Sequence, residues 1–233
     1  MKQWLPKDLR VVSIGDSLTE GVGDSTNSGG YVPYLAKDLE KLKEIRQVEF
    51  TNYGVKGNRT DQLLERLQER KVKRAIKQAD IVIMTIGGND IMKVFKENFT
   101  DLDVKKFNAE RKVFERKLEQ IIESIRKNNN EAGIVLVGLY NPFMNVLAGV
   151  KEVDEILKDW NASGKSTVEK YNQTCFVAVD DIFRDSDENL LYKDYFHPND
   201  RGYERMAKKI FQTMKGDKLA ELTNDKIMFV NGR

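Results

Sequence analysis

The sequence predicts an α/β fold, a five-stranded parallel sheet with helices on both faces, making three layers. Two observations carry that expectation. Short apolar runs alternate with amphipathic stretches along the chain, the pattern of strands and crossover helices. Several of those runs are followed at once by polar or glycine-rich turns, at the edge where open parallel sheets bind their ligands. With 233 residues the chain can bury one substantial core. No repeat, low-complexity linker or composition shift marks a second unit. A single domain over 1–233 is expected, with its core at 10–212 and a C-terminal extension at 215–233.

In chain order, strands are expected at 10–15, 47–52, 80–86, 133–138 and 175–180, each a short apolar run bounded by turn residues. Tyr31 to Ile45 has apolar residues at 31, 32, 35, 39, 42 and 45, a helical period. Thr60 can cap a helix whose inner face holds Leu63, Leu64 and Leu67. A long helix after Val104 aligns Phe107, Phe114, Leu118, Ile121, Ile122 and Ile125, and stops at Asn128-Asn129-Asn130. Asn199 caps the last core helix, with Tyr203, Met206, Ala207, Ile210 and Phe211 inward. Residues 91–104, with Met92, Val94, Phe95 and Phe99, and residues 140–150 read as apolar loops after strands. They either pack on the core or wall a pocket above the sheet. The tail beyond Lys215 is charged and then ends Ile227-Met228-Phe229-Val230, an added strand or a packing arm.

Composition excludes several function classes. The balance of 39 basic and 37 acidic residues gives a net charge of +2, which implies no nucleic-acid partner. Lys71, Lys73 and Arg74 cluster, but such runs on helices are ordinarily solvated faces. The one cysteine, Cys175, rules out an internal disulfide or a multi-cysteine metal site, and its apolar surroundings read as core. No run approaches the roughly 18 apolar residues of a membrane span, so no integral membrane segment is expected. Met1 to Asp8 lacks the apolar centre of a secretory signal, which fits a cytoplasmic protein or an exported one whose leader is gone. Oligomeric state has no sequence signal.

The chemistry begins at Gly15-Asp16-Ser17, a tight turn that holds one hydroxyl at the carboxyl end of the first strand. A serine hydroxyl is a weak nucleophile and needs an adjacent base. The only histidine is His197, in Asp194-Tyr195-Phe196-His197-Pro198-Asn199, so an imidazole partner for Ser17 has one candidate. Asp194 lies three residues before it and can reach back to hold one ring nitrogen; Asp180 and Asp181 compete for that role from the end of a strand. Negative charge developing on an attacked carbonyl oxygen needs donors. Gly57, in the turn after the second strand, can present its backbone N–H, and Asn89, after the third, its side-chain amide. Four such turns follow four separate strands and can converge only at the sheet's carboxyl edge.

These residues also resemble the SGNH (GDSL-type) hydrolases, a family of esterases and lipases with four ordered motif blocks. Gly15-Asp16-Ser17-Leu18 with Thr19 and Gly21 is similar to the first block, and Asn52 to Thr60 with Gly57 to the second. Gly88-Asn89-Asp90 is similar to the third and Asp194-x-x-His197 with Pro198 to the last, so the resemblance spans about residues 10–212. It implies a flavodoxin-like sheet, nucleophilic Ser17, His197 as base and Asp194 as its partner. It implies an oxyanion hole made from the N–H groups of Ser17 and Gly57 with the Asn89 side chain, and a structural role for Asp16. The overall look is similar to acylhydrolases of Gram-positive bacteria.

Two further patterns fail. Gly164-Lys165-Ser166-Thr167 mimics the end of a phosphate-binding loop, but Asp159 stands where that loop needs glycine. No Gly-x-Ser-x-Gly elbow is present, which disfavours the α/β-hydrolase fold. The expectation is a serine esterase that needs neither metal nor organic cofactor and acts on a small-molecule or lipid ester. The apolar loops favour an acyl chain, hence a lipid or lysophospholipid substrate; acetyl groups on a polysaccharide are the alternative. A non-catalytic binding module is the alternative of another class, and the intact set Ser17, Asn89, Asp194 and His197 argues against it.

Overall fold

The computed structural model describes residues 5–98, 104–142 and 151–229. Its elements run β1 (Lys7–Gly15), α1 (Ser17–Glu20), α2 (Tyr31–Leu39), β2 (Ile45–Gly54), α3 (Thr60–Arg66), α4 (Arg70–Gln78) and β3 (Ile81–Thr85). They continue as α5 (Gly88–Glu97), α6 (Val104–Asn128), β4 (Gly133–Val137), α7 (Lys151–Val168), β5 (Thr174–Val177), α8 (Asp180–Arg184), α9 (Asp200–Met214) and α10 (Asp217–Leu222). The five strands form one parallel sheet in the order β2-β1-β3-β4-β5, the flavodoxin-like order, with its switch point between β1 and β3.

Two apolar cores sandwich the sheet. Val12, Ile14, Met84 and Leu136 face α3 to α7, whereas Leu9, Val11, Ile83 and Val135 face α2, α9 and α10. Strands β3 and β4 are buried along their whole length, which is why they read as continuous apolar runs rather than as alternation. Register fixes the functional edge. Gly15 pairs with both Gly54 and Thr85, Thr85 with Val137, and Val137 with Val177, so all five carboxyl ends lie in one row. The turns that leave this row are forced close together.

All five expected strands are present, shifted by a few residues at their ends. The helix expected from Tyr31 to Ile45 ends at Leu39 instead. Ile45 must pair with Lys7 to start β2, and Leu42 spans the turn with its side chain half-buried against the core. The same spacing therefore served a helix, a turn and a strand. Thr60 is not a cap. Arg59 holds that position, and the Thr60 hydroxyl donates to Asp90 at 2.6 Å. Residues 91–97 belong to α5 rather than to a loop, with Ile91, Val94 and Phe95 buried at helical spacing. Residues 99–103 and 143–150, with Phe99, lie outside the described residues.

Asn199 does cap α9, its side chain accepting from the Gly202 N–H at 2.9 Å. Gly164 to Thr167 sit inside α7, where Gly164 lets the helix approach Leu136. The tail forms α10 and then a packing arm, with Leu219, Leu222 and Ile227 buried. Lys226 pairs with Asp80 at 2.7 Å just before β3, so the arm seals the amino-terminal edge, opposite the row of turns.

Candidate active site

The serine turn is built by close approach. Gly15 has φ +140°, and a Cβ there would lie 2.0 Å from the Thr85 carbonyl oxygen, so only glycine lets β1 end against β3. The Asp16 N–H donates to that same oxygen at 3.0 Å. The Asp16 carboxylate then accepts from the Leu18 N–H at 3.0 Å, capping α1, and from the Thr85 hydroxyl at 2.8 Å. Thr19 bonds Thr85 from the other side at 2.7 Å. Burial pushes the Asp16 pKa up to about 7, against the pull of the Thr85 hydroxyl and the Leu18 N–H. Asp16 thus fixes the turn through Leu18 and Thr85. Ser17 opens α1, where a backbone N–H has no partner within the helix.

Across 180 residues of sequence, His197 Nε2 lies 2.9 Å from Ser17 Oγ. Its Nδ1 lies 2.6 Å from Asp194 Oδ2. Asp194 Oδ1 accepts the backbone N–H groups of Phe196 and His197, both at 3.0 Å. Burial raises the Asp194 pKa, but the His197 ring and these two N–H groups outweigh it and hold the carboxyl below its ordinary value. The competing carboxylates are engaged elsewhere, Asp180 with Arg184 at 2.9 Å and Asp181 with Lys209 at 2.5 Å. The histidine loop is pinned on several sides. Tyr195 adopts a positive φ of 55°, the Tyr192 N–H donates to the His197 carbonyl at 2.7 Å, and Tyr140 Oη donates to the Phe196 carbonyl at 2.7 Å.

Asn89 and Ser17 line the same cavity. The Asn89 amide nitrogen donates to the Asn58 carbonyl at 3.0 Å. Gly57 has φ +81° and is exposed at the tip of the turn, where a Cβ would meet nothing within 4 Å. Its glycine is required by backbone conformation and not by crowding. Asp90, next to Asn89, accepts from the Thr60 N–H at 3.1 Å and from its hydroxyl, which ties α5 to the start of α3. Burial pushes Asp90 up to about 6 against those bonds.

A narrow cavity opens beside Ser17. Its walls are apolar: Ile86, Ile91, Met92, Phe95, Leu139 and Leu157 among others. The two segments singled out in sequence therefore contribute through α5 and through Tyr140 and Pro142. Among the described residues, no helix is long and apolar enough to cross a membrane.

Sequence reasoning overlooked Asp24, although an aspartate followed by Ser25-Thr26-Asn27-Ser28-Gly29-Gly30 is a turn signature. Its buried carboxylate accepts from the N–H groups of Thr26, Ser28, Gly29 and Gly30 at 2.9–3.1 Å and from the hydroxyls of Thr26 and Ser28. The loop so formed lies under the histidine: a Cβ on Gly23 would meet the Pro198 carbonyl oxygen at 2.4 Å. Burial raises the Asp24 pKa, but the Thr26 hydroxyl and the backbone N–H groups win and hold it at about 2. A depressed carboxyl stabilises the fold above its unfolded pKa, and that stability is lost as pH falls through the folded one. Asp24→Asn should therefore cost roughly 2–3 kcal/mol at neutral pH, because an amide NH2 would face N–H donors. In urea unfolding the gap between wild type and variant should stay constant above about pH 5 and shrink between pH 4 and pH 2. A gap that does not vary with pH would show that the carboxylate's charge is immaterial.

A buried serine and imidazole in hydrogen-bonded series with a solvent-exposed carboxylate, at the carboxyl edge of a flavodoxin-like sheet, is the arrangement of a serine hydrolase. Residues 13–205 match the GDSL-like Lipase/Acylhydrolase family, and the chain belongs to that family of carboxylic ester hydrolases. It is 39% identical over 211 residues to the uncharacterized protein YpmR of Bacillus subtilis strain 168, covering 90% of this chain and 82% of the relative. It is 28% identical over 207 residues to the spore germination lipase LipC of Bacillus licheniformis, covering 87% of this chain and 94% of that one. Among solved structures it is similar to the lipase Lip_vut3 from a goat rumen metagenome, with a TM-score of 0.79 and 25% identity over 88% of this chain and 97% of that one.

Proposed function

We propose that the protein hydrolyses esters of lipid-like acyl chains, such as lysophospholipids, through an acyl-enzyme on Ser17. Ser17 Oγ attacks the ester carbonyl while His197 Nε2, 2.9 Å away, takes its proton. Asp194 holds the ring through Nδ1 and stabilises the imidazolium that forms. The N–H groups of Ser17 and Gly57 and the Asn89 amide receive the oxyanion. His197 then returns the proton to the leaving alcohol, and a water repeats the cycle on the acyl-enzyme.

The observation that carries the substrate class is the apolar cavity that starts at the serine. An acetyl group would meet only the walls nearest the serine, whereas a longer chain would bring methylenes against Ile91, Met92, Phe95 and Leu157. The lipases to which the chain is similar support the same reading. Each added methylene should contribute about 0.8 kcal/mol, roughly fourfold in kcat/KM, until the chain outgrows the cavity. A series of p-nitrophenyl esters from two to sixteen carbons measures this directly. A sharp preference for acetyl would overturn the lipid assignment and favour a deacetylase of polysaccharides.

A further inference from the structure

The turn that carries Gly57 is held from several sides, one of them the Glu20 carboxylate, which accepts the Lys56 N–H. The Val55 N–H donates to the Gly15 carbonyl at 3.0 Å, joining the turn to the strand end that precedes Ser17. The Asn58 carbonyl accepts the Asn89 amide at 3.0 Å, joining it to α5. A further support is Arg66, the last residue of α3, which no motif block includes. Its Nη1 donates to Asn58 Oδ1 and its Nη2 to the Tyr53 carbonyl, both at 3.0 Å, and its Nε lies 3.7 Å from Glu69. Asn58 is buried, so both of its oxygens are committed, the side-chain oxygen to Arg66 and the backbone oxygen to Asn89.

This arrangement decides which way the Asn89 amide faces. A carbonyl oxygen can only accept, so the Asn58 carbonyl must meet the NH2 end of Asn89. One of the two amide hydrogens is spent there, and the other is left for the cavity side. A turned or displaced Asn58 would free the amide to rotate, and the donor would no longer be preorganised. The planar guanidinium spans two acceptors at once, a geometry that one ammonium cannot reproduce.

We propose that Arg66 is a positioning residue for oxyanion stabilisation, acting through Asn58 on the Asn89 amide. The inference rests on the serine-esterase reading above and adds a residue to it. Arg66 touches no substrate, so its loss should appear in kcat and not in KM.

The test is a double-mutant cycle with Asn89. Asn89→Ala should lower kcat on the order of a hundredfold. Arg66→Met should lower it about tenfold, with KM within about twofold. The affinity of an alkylboronic acid that adds to Ser17 should fall by the same factor as kcat. In the double variant, Arg66→Met should cost less than about twofold beyond Asn89→Ala, because the amide it positions is gone. Where Arg66→Met fails to fold, Asn58→Ser removes the same side-chain link and should show the same coupling. Fully multiplicative losses, or an unchanged kcat in Arg66→Met, overturn the proposal while the oxyanion reading stands. An Asn89→Ala variant with wild-type turnover overturns the oxyanion reading itself, and the role of Arg66 with it.

Discussion

Ser17→Ala is expected to lower ester hydrolysis by about 10⁴-fold or more while leaving the protein folded. The serine hydroxyl makes its hydrogen bond to His197 Nε2. The turn around it is held by other atoms: the Asp16 carboxylate on Leu18 and Thr85, the Thr19–Thr85 hydroxyl pair, and Gly15 against Thr85. Losing one partly compensated hydrogen bond costs about 1 kcal/mol, a shift of a few degrees in melting temperature. Turnover of a short p-nitrophenyl ester and a thermal melt on the same sample separate the two effects. Residual hydrolysis should reflect only the oxyanion donors and substrate binding. Turnover within tenfold of wild type would remove Ser17 from the chemistry.

Asp194→Asn is expected to lower kcat by roughly 10³–10⁴-fold, and the local geometry says why. Oδ1 of Asp194 accepts two backbone N–H groups, from Phe196 and His197. In the asparagine variant the amide oxygen must take that place, since an NH2 there would oppose two donors. The NH2 then faces His197 Nδ1, which has to accept, and the ring proton moves to Nε2. A protonated Nε2 cannot take the Ser17 proton. Asp180→Asn, 14 positions earlier in the sequence and paired with Arg184, should leave turnover unchanged and serves as the control. Equal losses in the two variants would contradict the assignment of Asp194.

Much of this was legible in the sequence because it depends on local pattern. The five strands are short apolar runs, and the row of carboxyl ends follows from a parallel sheet. The hydrogen-bonded contact of Ser17, His197 and Asp194 was legible for a different reason: a single histidine leaves one imidazole, and an aspartate three residues away lies within one turn of chain. What escaped depends on tertiary contact. Ile45 fits a helical period, but its pairing with Lys7 makes it a strand residue. Thr60 looks like a cap, yet Asp90, thirty residues away, takes its hydroxyl. α7 was hidden because its inner residues Val153, Ile156, Leu157 and Trp160 follow a stretch read as loop. Arg66 carries a charge typical of a helix surface, and only the folded turn shows its guanidinium between Asn58 and Tyr53.

The most direct measurement is covalent labelling with a fluorophosphonate, followed by mass spectrometry of the modified peptide. One phosphonyl adduct per chain is expected, on the peptide that carries Ser17, with labelling slowed by orders of magnitude in His197→Ala. A protein that hydrolyses esters yet stays unlabelled, or that carries the adduct on another serine, would contradict nucleophilic Ser17.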